Sequence, residues 1–417
     1  MSAKRRYGWL LAILRYGLLA VALVYLYRNV PWHDYVTLTH ATPARVPLLS
    51  ETRDPASGQL LSVTVLRAGA ETRVDGAEVQ LDEKTGIPNI QYGLRTTVAR
   101  IDWRLAVVSL LMFVPVPFLM AWRLVWMLAA QGVALGLWPS IKLTFTGNFY
   151  NFALPGTTGG DVIKAFYLTQ HTHHKTEAVT TVGLDRVMGM TGNVTLASAM
   201  FVVALCVGER GLGKFAVIPI LVGGGLIGGA IVVLVPRLRR MVRWLAERMP
   251  AGAHFVRAGR AVVKLSRQPG RVVFALLLTF LLQALVYVSA YVMARAMGMD
   301  GAVLRYMVFV PIGFMVAAIP IGPPQGFGVM EWCFVQFFVG AGMHNSMSQA
   351  VTLALAVRLT QVVWSLPGAL VPLLGAHLPK AQELAEFEAS EGDAPPAEAT
   401  AGQVFGPPAA ATPRANP

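Results

Sequence analysis

The sequence predicts an all-α polytopic membrane protein with about six full spans, two opposed re-entrant hairpins and a small β-rich extracytoplasmic insert. Three observations predict it. Only 14% of the 417 residues are charged and 55% are hydrophobic, whereas a soluble domain carries about a quarter charged residues. The apolar residues gather in runs such as Ala197–Val207, Phe215–Val235 and Val272–Val292, which with their flanks reach the ~20 residues needed to cross a bilayer. Two further apolar stretches are cut by clusters of Pro and Gly, and broken backbone at membrane depth needs protein or a cavity around it.

The first span lies within residues 1–30, from Gly8 to Tyr27, behind Lys4, Arg5 and Arg6. Bulky Val24-Tyr-Leu-Tyr27 closes the run where a signal peptide would have small residues, so the segment is read as retained. Residues 31–102 form the polar insert. Leu61–Leu66 and Val74–Leu81 alternate and are β-branched, with turn signals at Gly69, Asp75-Gly76 and Gly86. The membrane core occupies 103–376. Its first span, roughly Leu105–Leu128, contains Pro115 and Pro117, and its Trp122-Arg-Leu-Val-Trp126 run reads as an interfacial anchor with a snorkelling Arg123. Residues 377–417, rich in Ala, Pro and Glu, are expected to form a disordered cytoplasmic tail.

Charge sets the topology. Ten Arg and Lys residues between Arg237 and Arg271 are opposed only by Glu247, which places that loop in the cytoplasm. The loop at 236–271 is read first as topogenic and second as an anionic-lipid contact. Were residues 139–168 a full span, followed by spans at Ala178–Val207 and Phe215–Val235, the basic loop would fall outside. The conflict disappears if 139–168 dips in from the cytoplasm and returns, broken at Pro155-Gly-Thr-Thr-Gly-Gly160. After the span at Val272–Arg295, a second hairpin entering from outside fits Val303–Ile319, the break Pro320-Ile-Gly-Pro-Pro-Gln-Gly-Phe-Gly328, and Val329–Gly340. The last span, Ser348–Gly375, then runs inward, and both termini are cytoplasmic. Paired interrupted segments in corresponding halves of a chain mark transporter binding sites.

Ionisable residues inside spans cost about 2.5–3.5 kcal/mol each on insertion scales and need a reason. Six stand out: Asp161, Lys164, Asp185 and Arg186 in the first half, Glu331 and Arg358 in the second. Asp161 precedes Arg186 by 25 residues and Glu331 precedes Arg358 by 27. Each half thus sets a carboxylate behind a Gly-rich break and an arginine on the next helix. An arginine fork grips phosphate bidentately, and free N–H groups around Gly156–Gly160 suit an anion. The plainer reading is that these charges pair with one another, Asp161 with Lys164 or Arg186 and Glu331 with Arg358, and fix helix packing.

The motifs also carry a resemblance. Asn148, Leu154-Pro155-Gly156, Gly159-Gly160-Asp161 and Lys164, followed by Asp185-Arg186, Pro320 to Gly326-Phe-Gly328 and Glu331, and Arg358 to Pro367-Gly368, resemble in order the motifs of the lysylphosphatidylglycerol synthase transmembrane family. These are flippase-like proteins that include an uncharacterised bacterial group. The resemblance covers about 103–376. In this chain Asp185 stands where the family has Glu, Gly189 where it has a later Asp, and Lys164 where Arg is commoner. It implies the flippase-like membrane region without the aminoacyl-transferase domain, a multi-pass place in the bacterial inner membrane, and a lipid substrate. The candidate substrate-binding residues are Asn148, Pro155, Gly156, Gly159, Gly160, Asp161, Lys164, Asp185, Arg186, Pro320, Gly326, Gly328, Glu331 and Arg358.

The functional expectation is therefore a transporter, not an enzyme, that moves a polar-headed, phosphate-bearing lipid between leaflets. An integral-membrane enzyme of lipid or polyprenyl-glycan assembly, using Asp161, Asp185 and Glu331 as acid–base groups, is the alternative; a scaffold presenting the insert is another. No catalytic motif, cofactor site or metal site is expected: His171, His173 and His174 read as a solvated turn, and Cys206 and Cys333 lie in apolar runs with no ligand spacing. Nucleic acid is not an expected partner, because no binding motif accompanies the net charge of +13. The sequence assigns no oligomeric state.

Overall fold

The computed structural model describes residues 31–39, 45–54, 59–67, 69–81, 88–153, 159–170, 172, 175–209, 268–318, 326–339, 343 and 345–373, together with isolated positions in 17–28 and 224–241. Apart from those isolated positions, the first span, the span at Phe215–Val235, most of the basic loop, the three histidines and the tail lie outside the described residues.

The chain first builds a five-stranded antiparallel sheet. Its strands are β1 (Tyr35–Thr37), β2 (Arg45–Arg53), β3 (Leu60–Arg67), β4 (Ala70–Asp75) and β5 (Ile90–Gln91), in the order β4-β3-β2-β1-β5. Alternation puts Val36, Val46, Leu48, Val63, Val65 and Val74 on one buried face. The stretch read as one strand from Val74 to Leu81 ends sooner, because the chain turns into a 3₁₀ segment at Gly76–Glu78. Val79 and Leu81 then make only isolated bridges, to Leu38 and Pro88.

Two carboxylates tie the sheet to the helices. Asp34 accepts from the Gly93 amide at 2.7 Å and the Thr96 hydroxyl at 2.9 Å, at the start of α1 (Leu94–Ala99). Glu51 accepts from Arg100 at 2.8 Å, Arg53 at 3.3 Å and the Tyr92 hydroxyl at 2.9 Å. Burial alone would push the Glu51 carboxyl up, but the hydrogen bonds from Arg100, Arg53 and Tyr92 outweigh it and hold the group below the usual glutamate range.

The helical region follows. Helices α2 (Trp103–Met112) and α3 (Pro115–Gln131) form a 29-residue apolar unit. Asp102 caps α2 by accepting from the Arg104 amide at 2.9 Å. The expected single span is interrupted at 113–114, because Pro115 is suited to the first turn of a new helix and not to an interior. Helices α4 (Leu137–Ala153) and α5 (Gly159–Gln170) have 17 and 12 residues, and α5 runs back along α4, so that Gly147 faces Gly160 and Lys164. Each is shorter than the ~20 residues of a full span. Long α6 (Lys175–Cys206) and α7 (Pro269–Ala296) are apolar enough to cross a membrane.

Two shorter helices, α8 (Val303–Ala317) and α9 (Val329–Phe338), pair around a stack of Phe309, Phe334, Phe337 and Phe338. The last helical unit is α10 (Met347–Ser365) continuing into α11 (Pro367–Leu373). Four described helical units thus have the length and composition of spans. Polar side chains join them where no water competes: Ser109 and Ser289 each donate to the other's carbonyl, at 2.7 and 2.9 Å, and Tyr287 donates to Asn193. The chain is an integral membrane protein by these helices.

Candidate functional site

A cavity of about 340 Å³ opens between the two pairs of short helices. From α4 come Asn148, Asn151 and Phe152; from α5, Asp161 and Lys164; from α6, Asp185, Arg186 and Gly189. Arg123 on α3, Phe314 and Ala317 on α8, Met330 on α9, and Arg358 and Gln361 on α10 complete the wall. Charges from both halves of the chain therefore meet at one place.

The close seat of α5 on α4 has a local cause. At Gly160 a Cβ would collide with the Gly147 carbonyl and the Asn151 side chain, so only glycine lets the helices approach. The Gly160 amide donates to Asn151 Oδ1 at 3.0 Å, which satisfies one of the orphan N–H groups at the start of α5. Asp161 stands in that first turn, where a carboxylate is favoured by the helix dipole. One face of α6 then supplies Asp185 and Arg186 opposite α5.

Three ionic groups result. Arg186 Nη1 meets Asp161 Oδ2 at 2.5 Å, half-open to the cavity. Asp185 is 5% exposed and holds two cations, Arg123 Nε at 2.8 Å and Lys164 Nζ at 3.3 Å. Arg123 also donates to the Asp185 carbonyl at 3.3 Å and to Thr279 Oγ1 at 3.1 Å. The third group joins Arg358 Nε to Glu331 Oε1 at 3.5 Å. Glu331 is fully buried, and its other oxygen accepts from the Gly328 amide at 2.6 Å. Gly328 has φ of 82°, a left-handed conformation that starts α9 with this amide turned to the carboxylate. Arg358 further donates to the Gly326 carbonyl at 3.4 Å, and its guanidinium lies 4.0 Å from the centre of the Phe327 ring.

Of the candidate residues, Asn148, Asp161, Lys164, Asp185, Arg186 and Arg358 line the cavity. Glu331, Gly326 and Gly328 stand behind it as the support of Arg358, and Gly159 begins α5. Pro155, Gly156 and Pro320 lie outside the described residues. The reading of Arg123 as a snorkelling anchor is overturned: it is 3% exposed and bonded to Asp185, while its neighbour Trp122 is 43% exposed. Helical spacing carried that signal, since Arg123 shares a stripe with buried Val116, Met127 and Ala130. Asn151 and Gln361 were also missed; neutral amides are too common to stand out in a sequence.

A second cavity of about 300 Å³ adjoins the first and shares Arg123, Asn148, Phe152, Phe314 and Gln361 with it. Its remaining wall is mainly apolar, with Phe113, Val116, Pro117, Leu282, Val286 and Trp364. The Trp364 N–H is satisfied by the Leu110 carbonyl at 2.9 Å, which leaves its ring as wall. The combined space is charged at one end and oily at the other. Among the described residues no cluster of His, Cys, Asp and Glu could hold a metal ion.

A family model described as the lysylphosphatidylglycerol synthase TM region matches residues 93–368. The match begins one residue before α1, earlier than the expected start at 103, and reaches into α11; the sheet lies outside it. Searches among curated proteins and among solved structures found no match.

Proposed function

The chain belongs to the lysylphosphatidylglycerol synthase TM region family, and from that premise we propose that it is a flippase-like transporter moving a polar-headed, phosphate-bearing lipid between leaflets. The observation that carries the proposal is the convergence of Arg186 and Arg358, one from each half of the chain, on a cavity continuous with an apolar one. Planar guanidinium forks suit phosphate oxygens, and an apolar annex suits the start of an acyl chain. Cavities of ~300–1,000 Å³ are the usual size for small-molecule groups.

The proposal includes a topology. The pairs α4–α5 and α8–α9 act as re-entrant hairpins from opposite faces, the basic loop at 236–271 lies in the cytoplasm of a bacterial cell, both termini share that side, and the sheet lies outside. It also makes the chain a transporter and not an enzyme, a reading supported by the pairing of each described carboxylate at the site with a cation. Leaflet-specific labelling of a fluorescent phospholipid in reconstituted vesicles tests this. Protein-dependent loss of leaflet protection is expected; vesicles that keep their asymmetry with the protein present would overturn it.

A further inference from the structure

We infer, resting on the transporter reading above, that the site selects a headgroup with a single net negative charge and that Lys164 sets this selectivity. Among the described residues the site brings together four cations and three carboxylates. Arg186 with Asp161 and Arg358 with Glu331 are neutral pairs. Asp185 alone serves two cations, and one positive charge is left over.

The surplus falls on Lys164. Arg123 is anchored at all three of its nitrogens, by the Asp185 carboxylate, the Asp185 carbonyl and Thr279. Lys164 makes its contact to Asp185 at the longer distance of 3.3 Å, from a buried position on the cavity wall. An ammonium has three donors, so donors remain for a ligand. A buried charge without a counter-charge is costly. A headgroup bearing one net negative charge cancels it. A zwitterionic headgroup brings its own cation and leaves the surplus in place, and a doubly negative one overshoots.

A second position reaches the same charge from the other side. A Cβ placed on Gly189 would come no closer to its surroundings than 3.7 Å, to Arg123 Nη1. Gly189→Asp therefore sets a fourth carboxylate beside Arg123 and neutralises the site with Lys164 intact. Lys164→Met neutralises it by removing the cation and leaves Asp185 paired with Arg123. Lys164→Arg keeps the charge.

The experiment compares short-chain fluorescent phosphatidylglycerol, with one net negative charge, and phosphatidylethanolamine, with none, in vesicles containing each variant. The wild type should move the anionic probe on the order of tenfold faster, a difference of one decade in relative affinity. Lys164→Met and Gly189→Asp should both bring the ratio to about one, and Lys164→Arg should preserve it. Equal rates in the wild type, or a ratio unchanged in both neutralised variants, would overturn the inference. If the wild type moves neither probe, the transporter reading fails by itself. Charge selection is then read from melting of the detergent-purified protein: stabilisation by the anionic lipid over the zwitterionic one, lost in Lys164→Met, supports it, and no difference overturns it. In the same melt, inorganic phosphate or glycerol phosphate stabilising as strongly as the lipid would assign the site to a soluble anion and overturn the lipid source.

Discussion

Replacing Arg358 by Met should separate what its pair with Glu331 does for the fold from what it does for the substrate. Glu331 is fully buried on α9, with Arg358 as its ionic partner and the Gly328 amide on its other oxygen. Removing one partner of a buried pair costs about 3–5 kcal/mol, because the remaining charge is left in a low-dielectric site. The Gly328 hydrogen bond persists and keeps the loss toward the lower end, about 3 kcal/mol. At about 2.1 cal/mol/K of unfolding entropy per residue, a chain of 417 residues shifts by ~1 °C per kcal/mol, so the melting temperature in detergent should fall by about 3 °C. Adding Glu331→Gln removes the stranded charge, and the amide oxygen can still accept from Gly328. The double variant should return to within about 1 kcal/mol of the wild type. It should nonetheless stay inactive in the vesicle assay, since the guanidinium at the cavity wall is gone. Arg358→Lys, which keeps the charge but loses the planar fork, should impair transport with little loss of stability. A double variant that regains both stability and full transport would show that the pair is packing only, and would refute the reasoning.

Three further outcomes follow from the geometry. Arg123→Met should lower stability by about 1–3 kcal/mol, because the Asp185 carboxylate, the Asp185 carbonyl and Thr279 lose its hydrogen bonds while Lys164 still neutralises Asp185; a shift within ±0.5 kcal/mol, as for a surface residue, would return Arg123 to the role of an exposed anchor. Gly160→Ala forces a Cβ against the Gly147 carbonyl and should cost about 1–3 kcal/mol by overpacking, while Gly183→Ala, where a Cβ meets nothing within 4 Å, serves as the tolerated control in the same melt. Glu51 has a lowered carboxyl pKa in the fold, so its contribution is present above the unfolded value and is lost as the pH falls through the folded one. Glu51→Gln should thus lower the melting temperature at neutral pH, by the equivalent of up to ~1 kcal/mol for these part-exposed pairs, and the gap to wild type should close in acid; a gap that stays constant down to pH 3 would contradict the assignment.

Much of the membrane architecture is legible in the sequence because the bilayer imposes one rule, a long apolar helix, that composition alone reveals. The four charged residues at matching offsets are legible for the same reason: a charge in an apolar run is expensive and therefore conspicuous. Asp161 and Arg186 meet, and so do Glu331 and Arg358. What the sequence hides is context. Arg123 sits between Trp122 and Leu124, a setting equally suited to an interface, and only packing against α6 and α7 decides that it turns inward to Asp185 and Thr279. The apolar cavity is invisible for the opposite reason, since Phe113, Leu282 and Val286 look like any core residue until the space beside them is known. Strand alternation reveals β3 and β4, but the early end of β4 at Asp75 depends on the turn at Gly76, whose Cβ would strike the Leu60 backbone.

The central claim is that the cavity between the two helix pairs receives a lipid headgroup, and photo-crosslinking tests it at the residue level. A photoreactive amino acid at Gln361, on the cavity wall, is compared with one at Leu359, two residues away and exposed on the outer surface of α10. Irradiation in vesicles containing a phosphate-bearing lipid should give a lipid adduct at both positions. The adduct at 361 should be lost in the Arg358→Met, Glu331→Gln double variant, while the one at 359, from surrounding bilayer lipid, persists. Adducts at 359 alone in the wild-type background, or an adduct at 361 unaffected by loss of the charges, would contradict the account.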